Sequence, residues 1–182
     1  MEITIFKDIK QTSQPFYKHV NVILDRIKDG ASKDTVKSIR GEKDKDTRKI
    51  LKAKLPAICF SGTFSKRADN AIINHSGLIC LDFDEYKTKT LMLQEKQRLS
   101  KDRYVFSVFV SPSGNGLKVL VKIPTETDNH KNYFLSLQNY FNSENFDKSC
   151  KNVSRVCYES YDPLIHINTL SSLWDKIEEQ EY

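Results

Sequence analysis

At 182 residues, 38% hydrophobic and 29% charged, the chain can bury a substantial core and is too apolar to stay extended and disordered. No apolar run approaches the roughly 20 residues of a membrane-spanning helix, and residues 1–10 lack a signal-type apolar segment, so a cytoplasmic location is expected. The net charge of +5 admits a polyanionic partner without demanding one, and the 4 cysteines contain no C-x-x-C pair, which argues for reduced, mostly buried thiols over a zinc ribbon or disulfide framework.

In chain order, residues 3–6 suggest a short strand. Residues 15–29 suggest an amphipathic helix, with Phe16, Val20, Ile23, Leu24 and Ile27 on its apolar face and Gly30 as its stop. A basic stretch over 37–54 carries Arg40, Lys49, Lys52 and Lys54, with a helix expected from 46; phosphate contacts and a solvated helix face account for it equally well. Residues 56–60 form an expected strand, Ser61 and Gly62 a turn, and 67–74 a short helix. Phe64 lies just before Ser65-Lys66-Arg67, where it anchors its loop or stacks on a base.

The run Gly77-Leu78-Ile79-Cys80-Leu81-Asp82-Phe83-Asp84 predicts a buried strand over 76–84 ending in two carboxylates. Strand side chains alternate, so Asp82 and Asp84 share a face with Cα atoms about 7 Å apart. Two like charges there repel and resist burial, and a hard divalent cation relieves both problems. The alternative is a solvated turn leading to Glu85.

A helix is expected over 88–100, then strands over 104–110 and 117–123 joined by Ser111-Pro112-Ser113-Gly114-Asn115-Gly116. Glycines, hydroxyls and the nearby Lys118 give this hairpin a phosphate-binding composition, although a tight turn that happens to carry serines has the same look. It is not a Walker A loop, because Lys118 follows Leu117 and precedes Val119. A helix with an aromatic face spans 128–141. Next, Asp147 follows Phe146 at an element boundary, and Arg155 opens an apolar segment; taken singly, a cap and a surface residue explain them. Short strands over 153–158 and 165–167 and a helix from Ser171 complete an α+β chain with helices on a largely antiparallel sheet. His19, His75, His130 and His166 lack ligand spacing and are expected as surface or core residues.

The order of these motifs resembles the archaeo-eukaryotic primase superfamily, and in particular the primase-polymerase-like domain at the N-terminus of virulence-associated E (VirE-type) proteins. The likeness runs from 55 to 163. It implies an RRM-like, largely antiparallel catalytic sheet with a small N-terminal α/β lobe: one domain over 1–182, with a helical, basic lobe at 1–54 and a catalytic core at 55–170. It implies metal-dependent, template-directed nucleotidyl transfer from nucleoside triphosphates, with Asp82, Asp84 and Asp147 as catalytic ligands of two Mg²⁺ or Mn²⁺ ions. Ser111, Ser113, Gly114, Gly116, Lys118 and Arg155 would bind the nucleotide. A single-stranded DNA template and primer would cross a basic groove drawn from Arg40, Lys49, Lys52, Lys54, Lys66 and Arg67. Many members of the superfamily carry histidine where this chain has Lys118, which keeps a nucleotide- or DNA-binding accessory module in view; a metal-dependent nuclease is a further alternative. Nothing in the sequence resembles a helicase, so the chain is expected as a stand-alone catalytic domain or a fragment of a larger replication protein, with a helicase domain or protein among its expected partners.

Overall fold

The computed structural model describes residues 1–177, an α+β fold whose strand pairings are all antiparallel. In chain order the elements are β1 (Glu2–Phe6), β2 (Phe16–His19), α1 (Val20–Asp29), α2 (Lys33–Gly41), α3 (Lys45–Lys52), β3 (Ala57–Cys59), β4 (Gly62–Phe64), β5 (Ile72–His75), β6 (Leu78–Phe83), α4 (Lys89–Leu99), β7 (Val105–Val110), β8 (Leu117–Lys122), α5 (His130–Phe141), β9 (Cys157–Tyr158) and β10 (His166–Ile167). They build one sheet in the order β2-β1-β3-β9, a second in the order β10-β7-β8-β6, and a β4-β5 ribbon.

The alternation of β6 and β8 decides how the layers pack. Ile79, Leu81 and Phe83 of β6, with Leu117, Val119 and Val121 of β8, enter a core shared with Met92 and Leu99 of α4 and Tyr133, Phe134 and Leu137 of α5. On the opposite face Leu78 and Leu120 join Ile3, Ile58 and Phe60 of the first sheet and Val20, Ile23, Leu24 and Ile27 of α1. The second sheet is thus covered by helices on one face and by the first sheet with α1 on the other. Asp82, Asp84 and Lys118 follow the same alternation, so they stand at the end of the inter-sheet layer where apolar packing stops.

Several boundaries differ from the sequence expectation, each for a local reason. The helix expected over 15–29 begins only at Val20, because residues 16–19 pair with β1 (Glu2 opposite His19, Ile5 opposite Phe16) and the His19 ring accepts the Asn21 N–H as an N-cap. The expected helix over 67–74 is a 3₁₀ turn at Asp69–Ala71 followed by β5. Gly62, expected in a turn, opens β4, where a side chain would collide with the Asn74 carbonyl of β5. α2, which buries only Val36 and Ile39 at i,i+3 spacing, falls in the basic stretch that suggests a later helix alone. Of 153–158 only Cys157 and Tyr158 are strand. Residues 171–177 are not helical, and the remainder of the expected C-terminal helix lies outside the described residues.

Candidate functional site

β6 forms one edge of its sheet, and residues 145–147 run along that edge. The Asp84 N–H donates to the Asn145 carbonyl at 2.8 Å, the Asp147 N–H donates to the Asp82 carbonyl at 2.9 Å, and Phe83 and Phe146 form a bridge. Phe146 is held edge-on to Phe83 and Phe134, each at 5.2 Å between ring centroids. That anchoring explains why an aromatic precedes the acid: burying Phe146 fixes Asp147 alongside Asp82.

The β6–β8 register puts Lys118 directly opposite Asp82, and Lys118 Nζ lies 2.5 Å from Asp82 Oδ2. Arg155 Nη2 lies 3.9 Å from the Oδ2 atoms of both Asp82 and Asp147. The Cys150 thiol donates to Asp147 Oδ2 at 2.9 Å, and its sulfur also lies 3.4 Å from Asp82 Oδ2. One ligand atom from each of Asp82, Asp147 and Cys150 falls within 4.8 Å of the others. Asp84 lies outside this group of three, one residue past the end of β6, though its charge interacts with those of Asp82, Asp147, Lys118 and Lys52.

The titration properties follow from this crowding. Burial raises the Asp84 pKa, with Asp82 and Asp147 pushing the same way against the pull of Lys118. For Asp147 burial also pushes upward, but hydrogen bonds from Cys150 and Ser149 and the charge of Arg155 hold the carboxyl below its ordinary value. Burial disfavours the Lys118 ammonium more than any one neighbour favours it, but the combined pull of Asp82, Cys157, Asp84 and Cys80 outweighs it, so the pKa lies well above that of a free lysine. Lys52 is lowered by burial and then by the nearby Lys118 charge. The Cys150 thiol is raised by burial and by Asp82.

The hairpin between β7 and β8 is closed by the Ser111 N–H donating to Gly116 C=O at 2.8 Å and the Gly114 N–H to Ser111 C=O at 2.9 Å. Gly114 has φ of +77°, which favours glycine, and a Cβ on Gly116 would run into Asp84 Oδ1 and the Phe83 carbonyl. The loop therefore presses directly against the Asp84 carboxylate. Ser111 Oγ and Arg155 Nε are buried and have no hydrogen-bond partner among the described residues. Ser113 is half-buried and, with Gly114, Arg40, Lys89 and Tyr161, lines a hollow of about 340 Å³. A second hollow, of about 320 Å³, opens beside Asp84 and Asp147 and is lined also by Asn145 and Lys148.

The expected DNA contacts separate. Arg40 donates to the carbonyls of Ser111 at 3.1 Å and Tyr161 at 2.9 Å, so it braces the loop from behind. Lys52 faces Asp84 and Lys118, whereas Lys49, Lys54, Lys66 and Arg67 are exposed. Phe64 is fully buried, packed with Phe6, Ala57 and Cys59, and serves as an anchor. His75 and His130 bond to each other, Nε2 to Nδ1, at 3.0 Å. The sequence pattern does not single out Cys150; its position three residues after Asp147, in a turn closed by the Ser149 N–H on Asp147 Oδ1, is the available signal.

Two carboxylates and a thiol, half-buried to buried and converging to within 4.8 Å, form a donor set suited to a divalent metal ion. The orphaned Arg155 Nε beside them marks polar capacity that the protein itself does not fill.

A family model described as "BT4734-like, N-terminal domain" matches residues 50–166. Comparison with curated proteins gives no match. Among solved structures, the AEP domain of the cyanophage S-2L primase-polymerase (PrimPol) is similar, at 12% identity and a TM-score of 0.48, over 96% of this chain and 83% of that one.

Proposed function

The chain belongs to the BT4734-like N-terminal domain family, and from that premise we propose that it catalyses metal-dependent, template-directed nucleotidyl transfer from nucleoside triphosphates. The observation that carries this reading is the convergence of Asp82, Lys118, Asp147 and Arg155, from separate segments, on one cluster against the Gly116 loop. Charges gathered in this way oppose folding unless well paired, and such clusters concentrate at functional sites. The motif order that resembles primase-polymerases supports the same conclusion.

Asp82 and Asp147 would hold the metal, which when bound supplies Lewis-acid stabilisation of charge on the reacting phosphate. Arg155 offers a planar, permanently charged fork to the triphosphate, and Lys118 a point charge. The Ser111 hydroxyl, buried and unpartnered, adds a donor on the same loop. In place of the metal-ligand role that the motif implies, Asp84, which lies outside the group of three and lines the hollow beside Asp147, would accept the proton of the attacking 3′-hydroxyl, a task its burial-raised proton affinity suits. The oxygen then bonds to the α-phosphorus as the bond to pyrophosphate breaks, and Lys118 and Arg155 retain the departing pyrophosphate. Preorganised charge of this kind supplies most of the rate enhancement in phosphoryl-type transfers.

A second reading, a nucleotide- or single-stranded-DNA-binding module without chemistry, is favoured by one observation: the Lys118 ammonium already engages Asp82 at 2.5 Å. Calorimetric titration with a nucleoside triphosphate, run beside a turnover assay on wild type, Lys118→Met and Asp82→Ala, tests the proposal. Transferase action requires binding that depends on Lys118 and turnover that depends on Asp82. Binding without turnover supports the accessory module, and DNA cleavage without triphosphate binding supports a nuclease.

A further inference from the structure

We propose that Cys150 is the third protein ligand of the metal held by Asp82 and Asp147, and that its sulfur biases the centre away from Mg²⁺ and toward ions that accept thiolate, such as Co²⁺ and Zn²⁺. The inference rests on the metal-site reading above and adds the identity of a donor and the ion class it selects.

Cys150 is 1% exposed and its sulfur lies 2.9 Å from Asp147 Oδ2 and 3.4 Å from Asp82 Oδ2, inside the group of three whose donor atoms all fall within 4.8 Å of one another. The turn that places it is fixed by the Ser149 N–H on Asp147 Oδ1 at 2.9 Å, so carboxylate and thiol are oriented by one short segment. As a hydrogen-bond donor to two carboxylates a thiol is a poor choice, weaker than a serine hydroxyl of the same reach. As a ligand it is distinctive, because soft sulfur disfavours Mg²⁺, which takes oxygen ligands in a near-octahedral shell. Asp84, the other candidate oxygen donor, one residue past β6, stands outside the group. On binding, the S–H bond breaks as the sulfur–metal bond forms, and the thiol proton passes to solvent.

Titrating the whole chain with Co²⁺ and recording its absorption tests this, since a sulfur ligand gives a near-ultraviolet thiolate-to-cobalt charge-transfer band and carboxylate ligation alone gives only visible d–d bands. The expected result is a charge-transfer band that saturates at one Co²⁺ per chain, persists in Cys59→Ser, and disappears in Cys150→Ser. In Cys150→Ser, Co²⁺ affinity should fall at least about tenfold, while Mg²⁺ affinity stays within about twofold. Saturable d–d bands without charge transfer in the wild type would overturn the role of Cys150 and leave the carboxylate site standing. A charge-transfer band surviving in Cys150→Ser would assign the sulfur to another cysteine, and the absence of Co²⁺ binding altogether would overturn both the inference and the metal-site reading. The decisive band is read on the wild type, so the test does not depend on how well a variant folds.

Discussion

Lys118 neutralises Asp82 across the β6–β8 pair, and Asp82 is only 7% exposed. Replacing Lys118 by methionine keeps most of the side-chain volume and leaves a buried carboxylate whose nearest remaining cation is Arg155 at 3.9 Å. Breaking a buried pair from one side costs about 3–5 kcal/mol. Lys118→Met should therefore lower the urea midpoint, and because a competing cation has been removed from Asp82, Mn²⁺ should restore more of the stability of the variant than it adds to the wild type. Equal Mn²⁺ stabilisation of the two proteins would contradict the assignment of Asp82 to the metal. Gly116→Ala tests the adjoining contact. Its new Cβ meets Asp84 Oδ1 and the Phe83 carbonyl, so turnover should fall steeply while the melting temperature changes by a few degrees; full activity would show that Asp84 need not occupy its observed place.

Asp162 joins α4 to the far end of β7. Lys96 Nζ lies 2.6 Å from Asp162 Oδ2 and also donates to Leu164 C=O at 2.7 Å, while the Val110 N–H donates to the same carboxylate at 2.8 Å. Glu159, fully buried, accepts from Arg26 of α1 through Nε at 2.7 Å and Nη2 at 3.0 Å, and from Ser32. Residues 159–162 thereby tie together three parts of the fold, and Lys96→Met should cost several kcal/mol in urea unfolding, with Asp162→Asn in the same chain returning part of the loss. The His75–His130 pair links β5 to the start of α5. Burial lowers both imidazoles from the ordinary 6.5, His75 to about 4 and His130 to about 3, with His75 adding to the depression of His130. Between those values and 6.5 the unfolded chain binds more protons than the folded one, so the pair's contribution is intact above pH 6.5 and is lost as pH falls toward 4. The melting temperature of the wild type should drop more between pH 7 and 5.5 than that of a His75→Asn/His130→Gln double variant; equal drops would contradict this. The β7–β8 hairpin, α4, α5 and the carboxylate strand were all legible from apolar periodicity and turn residues. β2 was not, because Phe16 and the start of α1 fit one helical pattern when pairing with β1 is ignored. Nor was α2, whose core face is only Val36 and Ile39.

Across the whole molecule, the site is assembled by contacts distant in sequence, and this limits what motifs alone convey. Asp82 and Asp84 could be placed on one face from strand alternation, and the pairing of Asp82 with Lys118 follows from a hairpin extended by one more strand. Cys150 could not be placed there, because its proximity depends on residues 145–147 adding to the free edge of β6. Likewise Arg40 has the composition of a phosphate contact but the geometry of a brace on Ser111 and Tyr161. Of the basic residues expected to meet DNA, Lys52 stands nearest the carboxylates electrostatically, so Lys52→Ala should reduce the salt slope of single-stranded DNA binding by about 0.7, the contribution of one phosphate contact, whereas Arg40→Ala should alter stability and leave the slope unchanged. A slope that moves with Arg40 and not with Lys52 would reverse the two roles. The central claim is tested most directly by extension of a labelled primer on a single-stranded template with Mn²⁺ or Mg²⁺ and nucleoside triphosphates, comparing wild type with folded Asp82→Ala. Extension by the wild type that requires metal and vanishes in Asp82→Ala is the predicted result; extension that persists in Asp82→Ala, or no extension by a wild type that binds triphosphate and template, would contradict it.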